Sequence, residues 1–68
     1  MTEYLIVIEG SGSSSAFVPD LPGCVAAGVS VEEVERLIRD AIKLHIENLG
    51  AGGEPVPPPQ STASSVAI

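Results

Sequence analysis

A chain of 68 residues with one cysteine is long enough for a single small domain, and the lone Cys24 excludes both an internal disulfide and a paired-cysteine zinc site. Nine acidic side chains against three basic ones give a net charge of −6, which disfavours direct binding of nucleic acid and favours a basic protein as partner. A core of this size usually supplies only ~3–5 kcal/mol of stability, so we expect a homo-oligomer, either a dimer or a tetramer.

Three short strands are predicted before residue 30. The β-branched apolar run Tyr4–Ile8 is typical of a strand, and the Gly/Ser stretch at 10–15 is typical of a hairpin connection. Ala16–Val18 is then the second strand and Cys24–Gly28 the third. The residues between them, 19–23, contain two prolines and a glycine and therefore predict a rigid turn.

An amphipathic helix follows the strands. Ser30 with Glu33 three residues later is a capping box, which marks the helix start. Asn48 and Gly50 interrupt the helical spacing of apolar residues and predict its end. The fold class is therefore α+β: a small three- to four-stranded antiparallel sheet with one helix packed on one face. The apolar helical positions are Val34, Leu37, Ile38, Ala41, Ile42, Leu44 and Ile46.

The composition changes after the helix, which divides the chain into a β-β-β-α core at 1–49 and a Gly/Pro/Ser-rich arm at 50–65. Pro57, Pro58 and Pro59 favour extended geometry in this arm. Residues 66–68 are apolar again and form either a frayed tail or a terminal edge strand; we favour the strand.

The predicted elements carry more apolar surface than they can cover. Tyr4, Ile6 and Ile8 point to one face of the first strand, whereas Leu5 and Val7 point to the other. One helix covers only one face of a sheet, so the opposite face needs a second chain or packing by the Pro-rich arm. The helix shows the same excess, since its apolar arc is wider than one sheet contact requires and has Ile42 and Ile46 at its rim.

Residues suited to catalysis are few. His45 lies among apolar helix positions, Cys24 has no basic neighbour in sequence, and the Gly/Ser stretch matches neither a nucleophile elbow nor a phosphate loop. Asp20 lies between two prolines, where a hydrogen bond within the turn explains it. A hydrolase built on Asp20 would need a second carboxylate that no spacing provides. We therefore predict no catalytic residue, no cofactor and no metal site.

One turn and the helix that follows it resemble a known family. The segment Phe17-Val18-Pro19-Asp20-Leu21-Pro22-Gly23-Cys24, then Ala26-Ala27-Gly28, then Ser30-Val31-Glu32-Glu33, resembles the HicB family of antitoxins. The resemblance implies a β-β-β-α-β domain, likened to a reduced RNase H fold, that binds and neutralises a small basic HicA-like toxin degrading messenger RNA. Many family members carry a further DNA-binding segment; none is expected here, since the sequence stops at Ile68.

These arguments predict a protein-binding module. Its expected location is the cytoplasm, because the N-terminus lacks a basic region followed by a long apolar run and so predicts neither a signal peptide nor a membrane span. The competing hypothesis is a self-assembling structural or scaffold subunit with no toxin partner. The candidate interface residues are of two kinds, those suited to strand pairing and those suited to hydrophobic contact. They are Phe17, Asp20, Leu21, Val66 and Ile68 for the first kind and Leu5, Val7, Ile42 and Ile46 for the second.

Overall fold

The computed structural model describes residues 2–68; Met1, the first residue of the predicted core, lies outside them. The described residues form three strands and one helix: β1 (Val7–Glu9), β2 (Ser14–Phe17), β3 (Val25–Gly28) and α1 (Val31–Ala51). The strands make an antiparallel sheet in the order β1-β2-β3. The predicted α+β class, with a small antiparallel sheet and one helix, is thereby confirmed.

β1 is shorter than the predicted strand Tyr4–Ile8 and lies closer to the hairpin. Its register with β2 pairs Val7 with Phe17, which would place Val18 opposite Ile6 and Pro19 opposite Leu5. Both backbone groups of Val18 are bonded within the following turn, and Pro19 has no N–H to donate. Continuing the ladder toward Tyr4 would therefore gain few hydrogen bonds, and residues 2–6 run on without strand pairing.

β2 begins two residues earlier than predicted, at Ser14, and ends at Phe17. The reason is that the register pairs Ser14 with Gly28 and Ser15 with Ala27, so small residues face small residues across the sheet. Ser14 points to the helix side and is 6% exposed. Serines that read as a flexible connection in sequence are therefore strand residues here, because tertiary packing overrides their weak strand propensity.

The turn between β2 and β3 consists of two consecutive tight turns. Leu21 N–H donates to the Val18 carbonyl at 3.1 Å, and Cys24 N–H donates to the Leu21 carbonyl at 3.1 Å. Each turn has proline at its second position, where the fixed φ of proline fits, and Gly23 takes the positive φ of 85° that a type II turn needs at its third position. Leu21 joins the two turns, and its side chain is fully buried.

The helix start is as predicted, whereas the helix end is later than predicted. Glu33 N–H donates to Ser30 Oγ at 3.2 Å, so Ser30 is the N-cap. The helix continues through Asn48 and Gly50 to Ala51 and ends at Gly52.

The core lies between α1 and the face of the sheet formed by β2 and β3. It is small, and its two helix members are Val34 and Ile38. Half-buried side chains surround it from the N-terminal segment and the middle of the helix. The buried core residues are Ala16, Val18, Leu21, Cys24, Val34 and Ile38.

Because the helix extends to Ala51, the C-terminal arm begins later than the predicted residue 50: it comprises residues 54–68, contains no helix or turn, and lies partly against the core. Tyr4 Oη–H donates to the Pro57 carbonyl, and the Asp20 carboxylate accepts hydrogen bonds from Gln60 and Ser61. Within residues 2–68 the arm contains no strand, so the terminal edge strand favoured from the sequence at 66–68 is not formed in the described chain.

Candidate functional site

The first candidate surface is the outer sheet face, the side of the sheet opposite the helix. The register places Val7, Phe17 and Val25 in one row across the three described strands. Alternating residues of β2 are buried on the helix side: Ser14, Ala16 and, directly after the strand, Val18. The alternation therefore directs the side chain of Phe17 to the opposite side. Phe17 is 41% exposed and Val25 65%, while Val7 is half-buried.

Part of the outer sheet face, around Phe17 and Val25, forms a shallow depression of about 540 Å³. Glu9, Ser15 and Ala27 form the row next to the apolar one. The surface therefore offers a flat aromatic and aliphatic patch with a carboxylate at one side, which suits contact with a protein better than enclosure of a small molecule.

The second candidate surface is the isoleucine groove, which runs between the N-terminal segment and the helix. Its floor consists of Ile6, Ile38, Ile42 and Ile46 together with the ring of Tyr4. The groove has a volume of about 660 Å³, and the remaining lining residues form a mainly charged rim: Thr2, Glu3, Glu35, Arg39 and Lys43. Carboxylates and basic groups are equally represented on that rim.

The third feature is the hydrogen-bonded clasp between Asp20 and the arm. Asp20 Oδ2 accepts the backbone N–H groups of Gln60 and Ser61, each at 3.0 Å, and Oδ1 accepts the Ser61 hydroxyl at 3.0 Å. The backbone N–H of Ser61, followed by that of Gln60, lowers the pKa of the Asp20 carboxyl below its usual value of 3.8, because these bonds favour the ionised form. Asp20 thus binds a segment some forty residues away along the chain and not its own turn.

The sequence-predicted interface residues are distributed over these features and the core. Phe17 and Val7 share the outer sheet face, and Leu5 is half-buried in the unpaired segment just before β1. Ile42 and Ile46 both line the isoleucine groove.

The four remaining predicted positions have different surroundings. Leu21 is 0% exposed, so its side chain belongs to the core and offers no contact to a partner; its position between two tight turns points it inward. The carboxylate of Asp20 already accepts hydrogen bonds from Gln60 and Ser61 of the arm. Val66 is 84% exposed and Ile68 is fully exposed, both at the end of the arm.

Sequence reasoning missed two contributors to these surfaces. Val25 belongs to the outer sheet face, and the alternation Val25-Ala26-Ala27-Gly28 could have identified it once the strand's inward face was known. Ser61 completes the clasp, but a serine in a Gly/Pro/Ser-rich stretch carries no signal of a contact with a residue 41 positions away.

The groups suited to covalent or metal chemistry are not arranged for it. Cys24 is 4% exposed, and burial raises the pKa of its thiol, which keeps the sulfur protonated and unreactive. Residues 2–68 hold no cluster of three or more His, Cys, Asp or Glu side chains that could bind a metal ion. Over the same residues, no helix has the length and apolar character needed to cross a membrane.

Comparison with known proteins relates both the core and the arm to one group of sequences. A family model described as "HicB_like antitoxin of bacterial toxin-antitoxin system" matches residues 4–67. The UPF0150 protein ssr1765 of Synechocystis sp. is 41% identical over 56 residues, which are 79% of this chain and 71% of that protein. A UPF0150 protein of Helicobacter pylori is 53% identical over 36 residues, which are 53% of this chain and 50% of that protein.

Proposed function

Because this chain belongs to the family of HicB-like antitoxins of bacterial toxin-antitoxin systems, we propose that it binds and neutralises a small basic HicA-like toxin that degrades messenger RNA. It acts by binding and not by catalysis. Its place of action is the cytoplasm, where a toxin of that kind meets its substrate.

The outer sheet face is the observation that carries this proposal. Phe17 and Val25 expose large apolar side chains next to each other on a rigid sheet, with Val7 completing the row. An aromatic anchor flanked by aliphatic side chains is the composition typical of the centre of a protein interface. The described chain covers this face with no element of its own, since the helix packs on β2 and β3 from the other side.

Charge supports a basic partner. The chain carries a net charge of −6, and Glu9 lies beside the apolar row of the outer sheet face. A toxin that binds RNA needs a positive surface, and an acidic antitoxin attracts that surface over a distance of about one Debye length, ~8 Å at physiological salt. Electrostatic attraction then speeds association, whereas apolar burial at Phe17 and Val25 supplies the affinity.

Co-expression with a small neighbouring toxin gene tests this proposal. We expect the wild-type chain to restore growth and to co-purify with the toxin in moderate salt. Phe17→Glu places a charge in the centre of the apolar row and is expected to weaken binding by about tenfold or more, because burying an unpaired carboxylate opposes complex formation.

Leu44→Glu is the matched control, since Leu44 is 58% exposed on the helix, outside both candidate surfaces, and gains the same charge. Equal rescue by the two variants would remove the outer sheet face from the proposal. If the wild-type chain neither rescues growth nor binds the toxin, the antitoxin function itself fails and the self-assembling subunit becomes the better hypothesis.

A further inference from the structure

We propose that the apolar end of the arm, Val66–Ile68, of one copy docks in the isoleucine groove of a second copy of this chain. The inference concerns the chain alone and does not depend on the proposed toxin. It pairs two apolar features that the fold leaves uncovered, the isoleucine groove and the end of the arm.

The isoleucine groove exists because the helix is not centred over the whole sheet. α1 packs on β3 and β2, while β1 lies at the sheet edge and the segment before it has no strand partner. Ile42 and Ile46 therefore face Tyr4 and Ile6 across an open space of about 660 Å³. At ~3.3 Å rise per strand residue and ~5 Å between strands, that space accommodates a short extended segment.

The arm supplies such a segment. Val66 is 84% exposed and Ile68 is fully exposed. The two residues lie two positions apart, so an extended backbone directs both side chains to the same face. Asp20 holds the arm at Gln60 and Ser61, upstream of these residues. Within the described chain the groove is lined by residues between Thr2 and Ile46, so the arm end does not occupy its own groove.

Charge selects a second copy as the occupant. Two chains of net charge −6 repel each other over most of their surfaces. The rim of the groove is an exception, since Glu3 and Glu35 contribute −2 and Arg39 and Lys43 contribute +2, which sum to zero. Residues 55–68 carry no charged side chain. An arm without charged side chains, meeting a groove whose rim charges cancel, is thus the contact at which the side-chain charges of two acidic copies repel each other least.

Sedimentation velocity of the purified chain tests the proposal in solution. We expect a reversible oligomer, and we expect Val66→Asp to raise its dissociation constant by about tenfold or more, because a buried valine is replaced by a charge. Ser65→Asp is the control, since the neighbouring side chain points to the opposite face and gains the same charge. Both positions are exposed, so neither variant disturbs the core. Equal effects of the two changes, or a wild-type chain that stays monomeric, would overturn the proposal.

Disulfide formation between introduced cysteines tests whether the arm lies in the isoleucine groove and from which chain that arm comes. One preparation carries Ile42→Cys and another Val66→Cys, both with Cys24→Ala, and the two are mixed and oxidised. We expect a disulfide between the two different chains, and a much lower yield when Leu44→Cys replaces Ile42→Cys, because ~200° of helix rotation separates those positions. If both substitutions in one chain give a monomeric disulfide and the mixture gives none, each arm fills its own groove and the second copy is excluded.

Discussion

Asp20 illustrates how a single side chain connects distant parts of this molecule. Its position between Pro19 and Pro22 predicts a residue used locally, within the turn. The structure instead shows its carboxylate bound to Gln60 and Ser61. The two prolines still matter, because they hold the carboxylate where the arm passes.

Loss of the Asp20 charge is expected to release the arm. Since the hydrogen bonds lower the folded-state pKa of Asp20, the clasp is complete above the usual value of 3.8 and is lost as the pH falls through the lowered pKa. Asp20→Ala should release the arm at neutral pH. Heteronuclear NOE values and amide shifts of Gln60 and Ser61 report the change.

Asp40→Asn is the control for this experiment, because Asp40 is exposed on the helix and its substitution removes the same charge. Asp20→Asn keeps one acceptor oxygen without the charge and should give an intermediate result. Unchanged NOE values in Asp20→Ala would mean that the Tyr4 bond to the Pro57 carbonyl alone holds the arm.

At the scale of elements, the helix end shows why neighbouring glycines are not equivalent. Gly53 N–H donates to the Gly50 carbonyl at 3.1 Å and Glu54 N–H to the Leu49 carbonyl at 2.9 Å, which is the Schellman pattern. Gly53 has a φ of 71°, whereas Gly50 lies inside the helix with open space where a Cβ would be. The sequence shows three glycines within four residues, and backbone conformation alone distinguishes Gly52, the C-cap, and Gly53, whose positive φ stops the helix, from Gly50 inside it.

A pair of alanine substitutions tests this assignment. Gly50→Ala is expected to raise the free energy of unfolding by about 0.5–1 kcal/mol, because alanine loses less backbone entropy in a helix. Gly53→Ala is expected to lower it by about 1 kcal/mol, since alanine is strained at positive φ. Urea unfolding monitored by circular dichroism measures both. Changes of the same sign would show that the helix ends before Gly50, as the sequence predicts.

The turn between β2 and β3 is the element that sequence predicts best. Pro19, Pro22 and Gly23 each meet a backbone requirement that is local, so their order alone specifies a rigid turn. Where the side chains of that turn point is not local. From the sequence, Leu21 is expected at the surface, because it lies in a turn that contains two prolines. Its side chain is nevertheless fully buried, since the two turns direct it into the core.

At the scale of the whole molecule, stability is limited by the small size of the core and by a helix that extends beyond the sheet on which it packs. α1 has 21 residues and the strands 3 or 4, so at ~1.5 Å and ~3.3 Å per residue the helix is more than twice as long as the sheet it packs on. The six buried apolar side chains found among residues 2–68 are a modest core for a domain. Self-association through the arm would then contribute to the stability of the fold.

Thermal unfolding should therefore depend on chain concentration. A melting temperature that rises with concentration for the wild-type chain is the expected result, because mass action favours the folded oligomer. Val66→Asp should abolish the rise, whereas Ser65→Asp should keep it. A melting temperature that is constant over a hundredfold range of concentration would show that the monomer is stable without a second copy.

The amino-acid sequence by itself determined the class of fold, the helix start at Ser30, the rigid turn at 19–23 and the acidity of the surface, because capping, proline geometry and charge act within a few residues. Only the tertiary structure decided which apolar side chains remain uncovered. The strand register brings Val7, Phe17 and Val25 into one row, and the lateral placement of the helix opens the groove beside Ile42 and Ile46. Both depend on pairing between residues far apart in the chain, which no local pattern specifies.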